Sequence, residues 1–277
     1  MVRSTLDTHK GGNMRREVLI RRVRGLTALF GGWLFLKAIK GINRILRNLT
    51  LQSHRVQFFL EWKLLPNPEW FDHYMDLYYQ WRKFRNPLWI ERGIFNLLAV
   101  KNDGALLELC CGDGFNSYYF YSIRAKNIIS VDFDHGAIDH AKKNHRAHNI
   151  RFGVSDIRTD MPVGQFDNVI IDAAIEHFTE SEIFQILKEV KERLKVGGIL
   201  SGYTIVEKDD GSKSLHQHEY EFKSKDDLVG FLLPHFKNVK VFETIYPSRH
   251  NLYFFASDST LPFDENWEFV KVIRKSG

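Results

Sequence analysis

Leu106–Phe120 reads LLELCCGDGFNSYYF. An apolar run ends near an acid, a glycine turn follows, and a segment able to form a helix comes next. That is the order of strand, tight turn and helix. Gly112 and Gly114 let the backbone turn sharply and let a ligand approach it closely. The helix start beyond the turn, at Asn116, presents free N–H groups. Dinucleotide turns of the GxGxxG kind put glycine where this chain has Cys110, and their third glycine has no counterpart here. Asp113 sits inside the turn, where its charge disfavours a phosphate. A zwitterionic or cationic ligand is the better match.

Outward from this turn, short apolar runs alternate with helical stretches. GALLELC, NIISVDF, IRFGVSD, FDNVIID and GGILSGYTI are separated by FNSYYFYSIR, HGAIDHAKKNHRAHN and ESEIFQILKEVKERLK. Such alternation predicts a parallel, doubly wound α/β sheet. A helix in KSKDDLVGFLLPHF and two strands, NVKVFETIY and NLYFFAS, close the pattern as an antiparallel pair at a sheet edge. Acids end four successive strands: Glu108, Asp132, Asp156 and Asp172. Ligands of such sheets bind at this carboxyl edge. The two oxygens of Asp132 suit the vicinal hydroxyls of a ribose, and Asp156 can accept from an adenine amino group. One such acid alone reads as a helix cap or a solvated turn. Four in order point to a ligand.

LLELCCGDG, ISVDFD, GVSDIR, FDNVIIDAAIEHF and LKVGGILSGYT together resemble the ordered motifs of class I S-adenosylmethionine-dependent methyltransferases. The resemblance covers roughly residues 100–257. It implies a Rossmann-like sheet of seven strands with an antiparallel C-terminal strand, and S-adenosylmethionine as cofactor. It also implies roles. Glu108 and the turn from Cys110 through Gly112 and Gly114 to Asn116 would hold the methionine part, and Asp132 the ribose. Phe133 would lie against the adenine, with Asp156 and Ile157 at its edge, and Asp172 and Ala173 would border the methyl group. The chain departs from the family in having Cys110 at the usual first glycine, where a small side chain is expected to fit.

Methyl transfer asks the protein to position an acceptor and remove its proton. Glu176 and His177, in EHF after the fourth strand, are expected at the pocket rim, and a histidine suits proton removal near neutral pH. His216, His218 and Glu219, in SLHQHEYEF, are rival bases or hydroxyl-binding groups. With Glu176 and His177 they could also form a divalent-metal site, but polar spacing alone does not establish one, and no metal is assigned. EHF, HQHEYEF and NLYFFAS look like bacterial methyltransferases that act on sugars, surface glycans or small metabolites, so O-methylation is the expected activity. EHF also resembles the quinone-biosynthesis branch, which makes a lipid-soluble acceptor at a membrane the first alternative. A non-catalytic cofactor-binding adaptor is the second. Nucleic-acid amine methylation is disfavoured, because IDAAIEHF stands where those enzymes carry an (Asn/Asp/Ser)-Pro-Pro-aromatic motif.

Composition fits a folded protein: 44% hydrophobic, 26% charged, with 22 Phe, 10 Tyr and 6 Trp. Two adjacent cysteines support neither a disulfide framework nor a zinc site. The formal charge of +5 is concentrated. Residues 14–47 hold nine basic residues against Glu17 alone. Ile39, Ile42, Ile45, Leu46 and Leu49 fall on one helical face, and Lys37, Lys40, Arg44 and Arg47 on the other. That pattern suits an anionic membrane surface, or a helix packed on protein. The uncharged run 26–36 is too short to span a bilayer. The expected organisation is a basic amphipathic extension (1–65), an aromatic helical cap (66–100), the cofactor-binding domain (101–258) and a tail (259–277). The expected location is the cytoplasm, with peripheral attachment to the inner membrane face as its variant.

Overall fold

FDNVIID forms the most deeply buried strand of the sheet, with all seven residues covered. A strand covered on both faces needs a continuous apolar run rather than alternation. In the computed structural model, which describes residues 20–25, 31–64, 70, 72–85, 87–246 and 249–263, it is the fourth of seven strands. β1 (Ala105–Leu109), β2 (Asn127–Asp132), β3 (Ile150–Val154), β4 (Phe166–Asp172) and β5 (Leu194–Ile205) run parallel. β6 (Asn238–Tyr246) pairs with β7 (Arg249–Ser257), and β7 is antiparallel to both β5 and β6. The strand order is β3-β2-β1-β4-β5-β7-β6. The sheet therefore has seven strands with the reversed C-terminal strand expected from the sequence.

Strand order reverses direction between β1 and β4, and such a switch point opens a crevice at the carboxyl ends of the strands. Leu109 ends β1 and Asp172 ends β4, so the glycine turn and the EHF turn leave from the two sides of that crevice.

The chain divides into two compact units, Met1–Pro66 and Asn67–Gly277. In the first, residues 20–25 are helical, and α1 (Gly32–Phe59) runs into a π-helical turn at Leu60–Leu64. The polar start, part of the 26–36 run and most of the tail lie outside the described residues. No helix among the described residues is long and apolar enough to cross a membrane.

In the second unit, α2 (His73–Phe84) and α3 (Leu88–Ala99) precede the sheet. They are followed by α4 (Phe115–Tyr119), α5 (His135–Asn144), α6 (Glu180–Arg193) and α7 (Lys225–Leu232). α6 starts on a full capping box, Thr179 with Glu182, and presents Ile183, Leu187 and Val190 to Leu107, Val169, Ile171 and Leu200. On another part of the sheet, Leu88, Trp89 and Ala99 of α3 pack with Tyr203, Tyr253 and Phe255. The aromatic stretch around residues 66–100 thus supplies a sheet-packing helix as well as α2. Asn168 anchors the end of α3: it accepts from the Lys101 N–H and donates to the Ala99 carbonyl, both at 2.8 Å.

Candidate functional site

Three residues of the turn after β1 have left-handed backbone: Cys110 (φ 57°), Gly112 (φ 53°) and Gly114 (φ 74°). Gly114 is required for space as well as conformation. A Cβ there would lie 2.6 Å from the Phe152 ring and 3.0 Å from the Ala141 Cβ. The turn is pinned to β2, with Cys111 N–H donating to the Val131 carbonyl (2.9 Å) and Gly112 N–H to Asp132 Oδ2 (2.8 Å). Cys110 sharpens the sequence reading. The position demands a left-handed conformation more than a small side chain, and an L-residue there carries about 1–2 kcal/mol of strain. Burial pushes both thiols well above their usual range, so neither is a ready nucleophile.

Asp113 does not face a ligand. It is fully buried. Its carboxylate accepts from the His73 N–H (2.9 Å) and the Phe115 N–H (3.1 Å), and the His73 Nδ1 lies 2.9 Å from it. Burial raises its pKa, but the His73 imidazole and these hydrogen bonds outweigh that and hold it below its usual range. Asp113 therefore ties α2 to the glycine turn, which the sequence reading, treating it as a charge toward the ligand, did not anticipate.

The four strand-end acids have different surroundings. Glu108 is 2% exposed and accepts from the hydroxyls of Ser117 and Ser130, the latter at 2.8 Å. Burial pushes its carboxyl up to about 8, although the two hydroxyls oppose the shift. Asp132 accepts from Gly112 N–H and, at 3.0 Å, from Asp134 N–H. Each carboxylate oxygen can accept from two donors, so these bonds are compatible with a ribose diol. Asp156 is forked by Arg158 (2.9 and 2.6 Å), whose hydrogen bonds lower its pKa. Asp172 sits in a buried network. Arg92 donates to its Oδ2 from Nε (2.9 Å) and Nη2 (2.6 Å), Asn116 from Nδ2 (2.8 Å), and Asn96 to its Oδ1 (3.1 Å). Arg92 also lies over the rings of Trp89 and Tyr203. Phe133 is half exposed beside the end of β2, whereas the Ile157 side chain lies in the core, so only its backbone can reach a ligand.

The acceptor candidates divide in two. Glu176, His177 and His218 converge, each offering a ligand atom within 4.8 Å of the others. The His177 and His218 rings meet edge to face at 4.8 Å. Thr204 of β5 donates to Glu176 Oε2 (3.0 Å). Glu219 and Tyr220 N–H groups bond the Glu176 carbonyl (2.9 and 3.1 Å), which stitches the EHF turn to the loop after β5. His218 is buried, with Nδ1 on the carboxylate of Glu221. Burial keeps its imidazole below its ordinary pKa, against the opposing charge of Glu176. His216 and Glu219 are exposed and stand outside this cluster. An open polar hollow of about 590 Å³, lined by Glu207, Lys208, Lys223, Asp226, Glu243 and His250, contains none of the predicted site residues.

Sequence reasoning missed His73, Arg92, Asn96, Ser117, Ser130, Thr204 and Glu221. Arg92 and Asn96 carried a signal, being polar residues four apart in LWIERGIFNLLA, whose only other polar side chain is Glu91. The others join the candidate site only through the fold.

Two observations fit a cationic cofactor in the crevice. Asn116 Oδ1 is a buried acceptor with no hydrogen-bond partner. Glu108 is a buried acid held, among the described residues, by two hydroxyls, and a cation nearby would stabilise its ionised form. Strand order, glycine turn and acid-tipped strands give this chain the sheet architecture that class I methyltransferases share. Residues 106–198 match the family described as a methyltransferase domain. Solved structures of the same fold include the N-methyltransferase NodS from Bradyrhizobium japonicum WM9. It shares 16% identity, over 62% of this chain and 96% of that chain, with a TM-score of 0.52. The DhpI protein in complex with SAH shares 18% identity over 66% of this chain and 88% of that one, with a TM-score of 0.50. The S-adenosylmethionine-dependent methyltransferase SibL shares 16% identity over 67% and 59%, with a TM-score of 0.51. At these identities the likeness is one of fold. No curated protein matches the chain.

Proposed function

We propose that the protein O-methylates a hydroxyl of a sugar, a surface glycan or a small metabolite. The convergence of Glu176, His177 and His218 beside the end of β4 carries this reading. A hydroxyl is a weak nucleophile until its proton is drawn away, and this cluster is where the chain can hold the oxygen and do so. S-adenosylmethionine supplies a methyl group already activated on a sulfonium. The protein's part is to align the acceptor oxygen with it and to exclude water. Glu221 and Thr204 fix the side chains that meet the acceptor, so the geometry is set before binding. Purified protein, isotopically labelled cofactor and a panel of hydroxyl, carboxylate and amine acceptors test the proposal by mass spectrometry. A labelled methyl ether supports it; labelled amines alone overturn it.

A second reading places the same chemistry at a membrane, with a quinone or other lipid-soluble acceptor. α1 favours it. Its sequence contains no acid. Ile39, Ile42, Ile45, Leu46, Leu49 and Val56 are exposed along the face opposite Lys37, Lys40, Arg44, Arg47 and Arg55. Basic and apolar faces on one helix suit the headgroup region of anionic lipid. Flotation with anionic and neutral vesicles tests this. Binding to anionic vesicles that Lys40→Glu/Arg44→Glu/Arg47→Glu abolishes supports it. Equal recovery with both vesicle types, or none with either, removes it.

A further inference from the structure

Glu176, His177 and His218 are a two-imidazole, one-carboxylate donor set. They come from two segments that the backbone bonds of Glu219 and Tyr220 hold together. Atoms bound to one ion at about 2.1 Å stand about 3.4 Å apart in a tetrahedron. Ligand atoms already within 4.8 Å of one another therefore need roughly an ångström of side-chain movement to close.

The surroundings are those of a metal site. With Nδ1 of His218 held by Glu221, Nε2 is the nitrogen left to ligate, and the carboxylate fixes the ring's orientation. Thr204 does the same for Glu176. Ligating histidines are commonly oriented by such outer carboxylates. Charge argues the same way. Glu176 and Glu221 are 3% and 8% exposed, and Glu221 Oε2 is buried without a hydrogen-bond partner. Lys213 donates to the His218 carbonyl. Glu221 is matched to the His218 ring, whereas the buried Glu176 is met by the Thr204 hydroxyl and by no ion-pair partner among the described residues; such a carboxylate is costly, and a divalent ion between the segments relieves that cost. The other cluster of candidate ligands, Asp113 with His140 and His145, lacks this property. Its carboxylate is matched to His73, and His145 Nδ1 lies 2.6 Å from the Asp113 carbonyl oxygen.

We propose that Glu176, His177 and His218 bind a divalent first-row transition-metal ion, with Glu221 as the outer partner of His218. Imidazoles with one carboxylate favour zinc, cobalt or ferrous ions over magnesium or calcium. Three protein ligands leave coordination positions open for an acceptor oxygen. The inference shares with the proposed function the reading of this cluster as the acceptor end. It would move activation of the hydroxyl from an imidazole to the ion.

The test is equilibrium dialysis of the metal-stripped full chain against Co²⁺ and Zn²⁺, with metal counted per chain and the visible absorption of Co²⁺ recorded. One equivalent is expected, with d–d bands of a low-coordinate nitrogen–oxygen site. His218→Ala and His177→Ala should abolish that binding, and Glu221→Gln should weaken it about 10–100-fold. Cofactor affinity, measured by calorimetry on each variant, shows that the fold is intact. Less than a tenth of an equivalent on the parent chain, or a full equivalent on both histidine variants with cofactor affinity retained, overturns the inference. One equivalent bound at this cluster without any methyl ether product leaves the metal site standing and removes the hydroxyl acceptor. Undiminished ether formation by metal-stripped protein leaves the hydroxyl acceptor standing and overturns the ion's part in activating it.

Discussion

Replacing Glu108 by glutamine should make the apoprotein more resistant to unfolding in alkali and a poorer cofactor binder. The acid is 2% exposed, and burial lifts its pKa from 4.5 to about 8. The folded state therefore holds this proton more tightly than the unfolded chain does. Its contribution to stability is fully present below about pH 4.5 and falls as pH rises toward about 8, where it levels off. At about 1.4 kcal/mol per unit, the wild-type protein should lose about 3 kcal/mol between pH 6 and pH 9 that Glu108→Gln does not lose. Binding runs the other way. Only the ionised carboxylate attracts the cofactor's positive charge, so wild-type affinity should rise by up to about tenfold per pH unit below pH 8. The affinity of Glu108→Gln should lack this rise. Urea unfolding and titration calorimetry at pH 6, 7, 8 and 9, on both proteins, measure the two effects. Parallel stability curves and parallel affinity curves would refute the argument, because the buried acid would then not be titrating in this range.

Three further outcomes follow from the geometry. Arg92→Met should cost about 3–5 kcal/mol in urea unfolding, because it strands the buried carboxylate of Asp172, and Arg92→Met/Asp172→Asn should recover much of that loss. Gly114→Ala should cost more than about 2 kcal/mol and reduce cofactor affinity measured by calorimetry, since its Cβ would sit 2.6 Å from the Phe152 ring at a φ of 74°. Cys110→Gly should leave thermal stability within about 1 kcal/mol of wild type, strain relief offsetting chain entropy, whereas the β-branched Cys110→Val should be clearly destabilised at that left-handed position.

The sheet was legible because its signals are local. Apolar runs of strand length, acids at their ends and glycines in the following turn identify β1 to β5, and the spacing of NVKVFETIY and NLYFFAS identifies the antiparallel pair. The site was legible only where one segment carries it. Gly112, Gly114 and Asp132 belong to a turn and the strand beside it, so their neighbourhood can be read from order alone. The partners of Asp113 and Asp172 lie 40 and 80 residues earlier, on helices whose packing no local pattern announces. Glu221 looked like one more polar residue in a loop until the backbone bonds from Glu219 and Tyr220 to Glu176 brought that loop beneath the EHF turn. His216 and His218 are indistinguishable in sequence. Burial separates them, and burial depends on that same stitching.

Pairing of the acids decides how the crevice presents its charge. Asp113 is matched to His73, Asp156 to Arg158 and Asp172 to Arg92, so three of the carboxylates near the strand ends meet partners within the chain. Glu108 is held by two hydroxyls instead. Its charge, once ionised, is the one on β1 that an incoming cation can claim. Asp132 stands on β2, the strand directly paired with β1. Glu108 and Asp132 thus stand on adjacent strands at the carboxyl edge, while the Arg92–Asp172 pair is nearly neutral at the end of β4. Glu176 and His177 follow in the turn after β4, and His218 comes from the loop after β5. Arg92 of α3 neutralises Asp172 at the end of β4, the strand that leads into the EHF turn. This is why a helix with no strand-end motif belongs to the site.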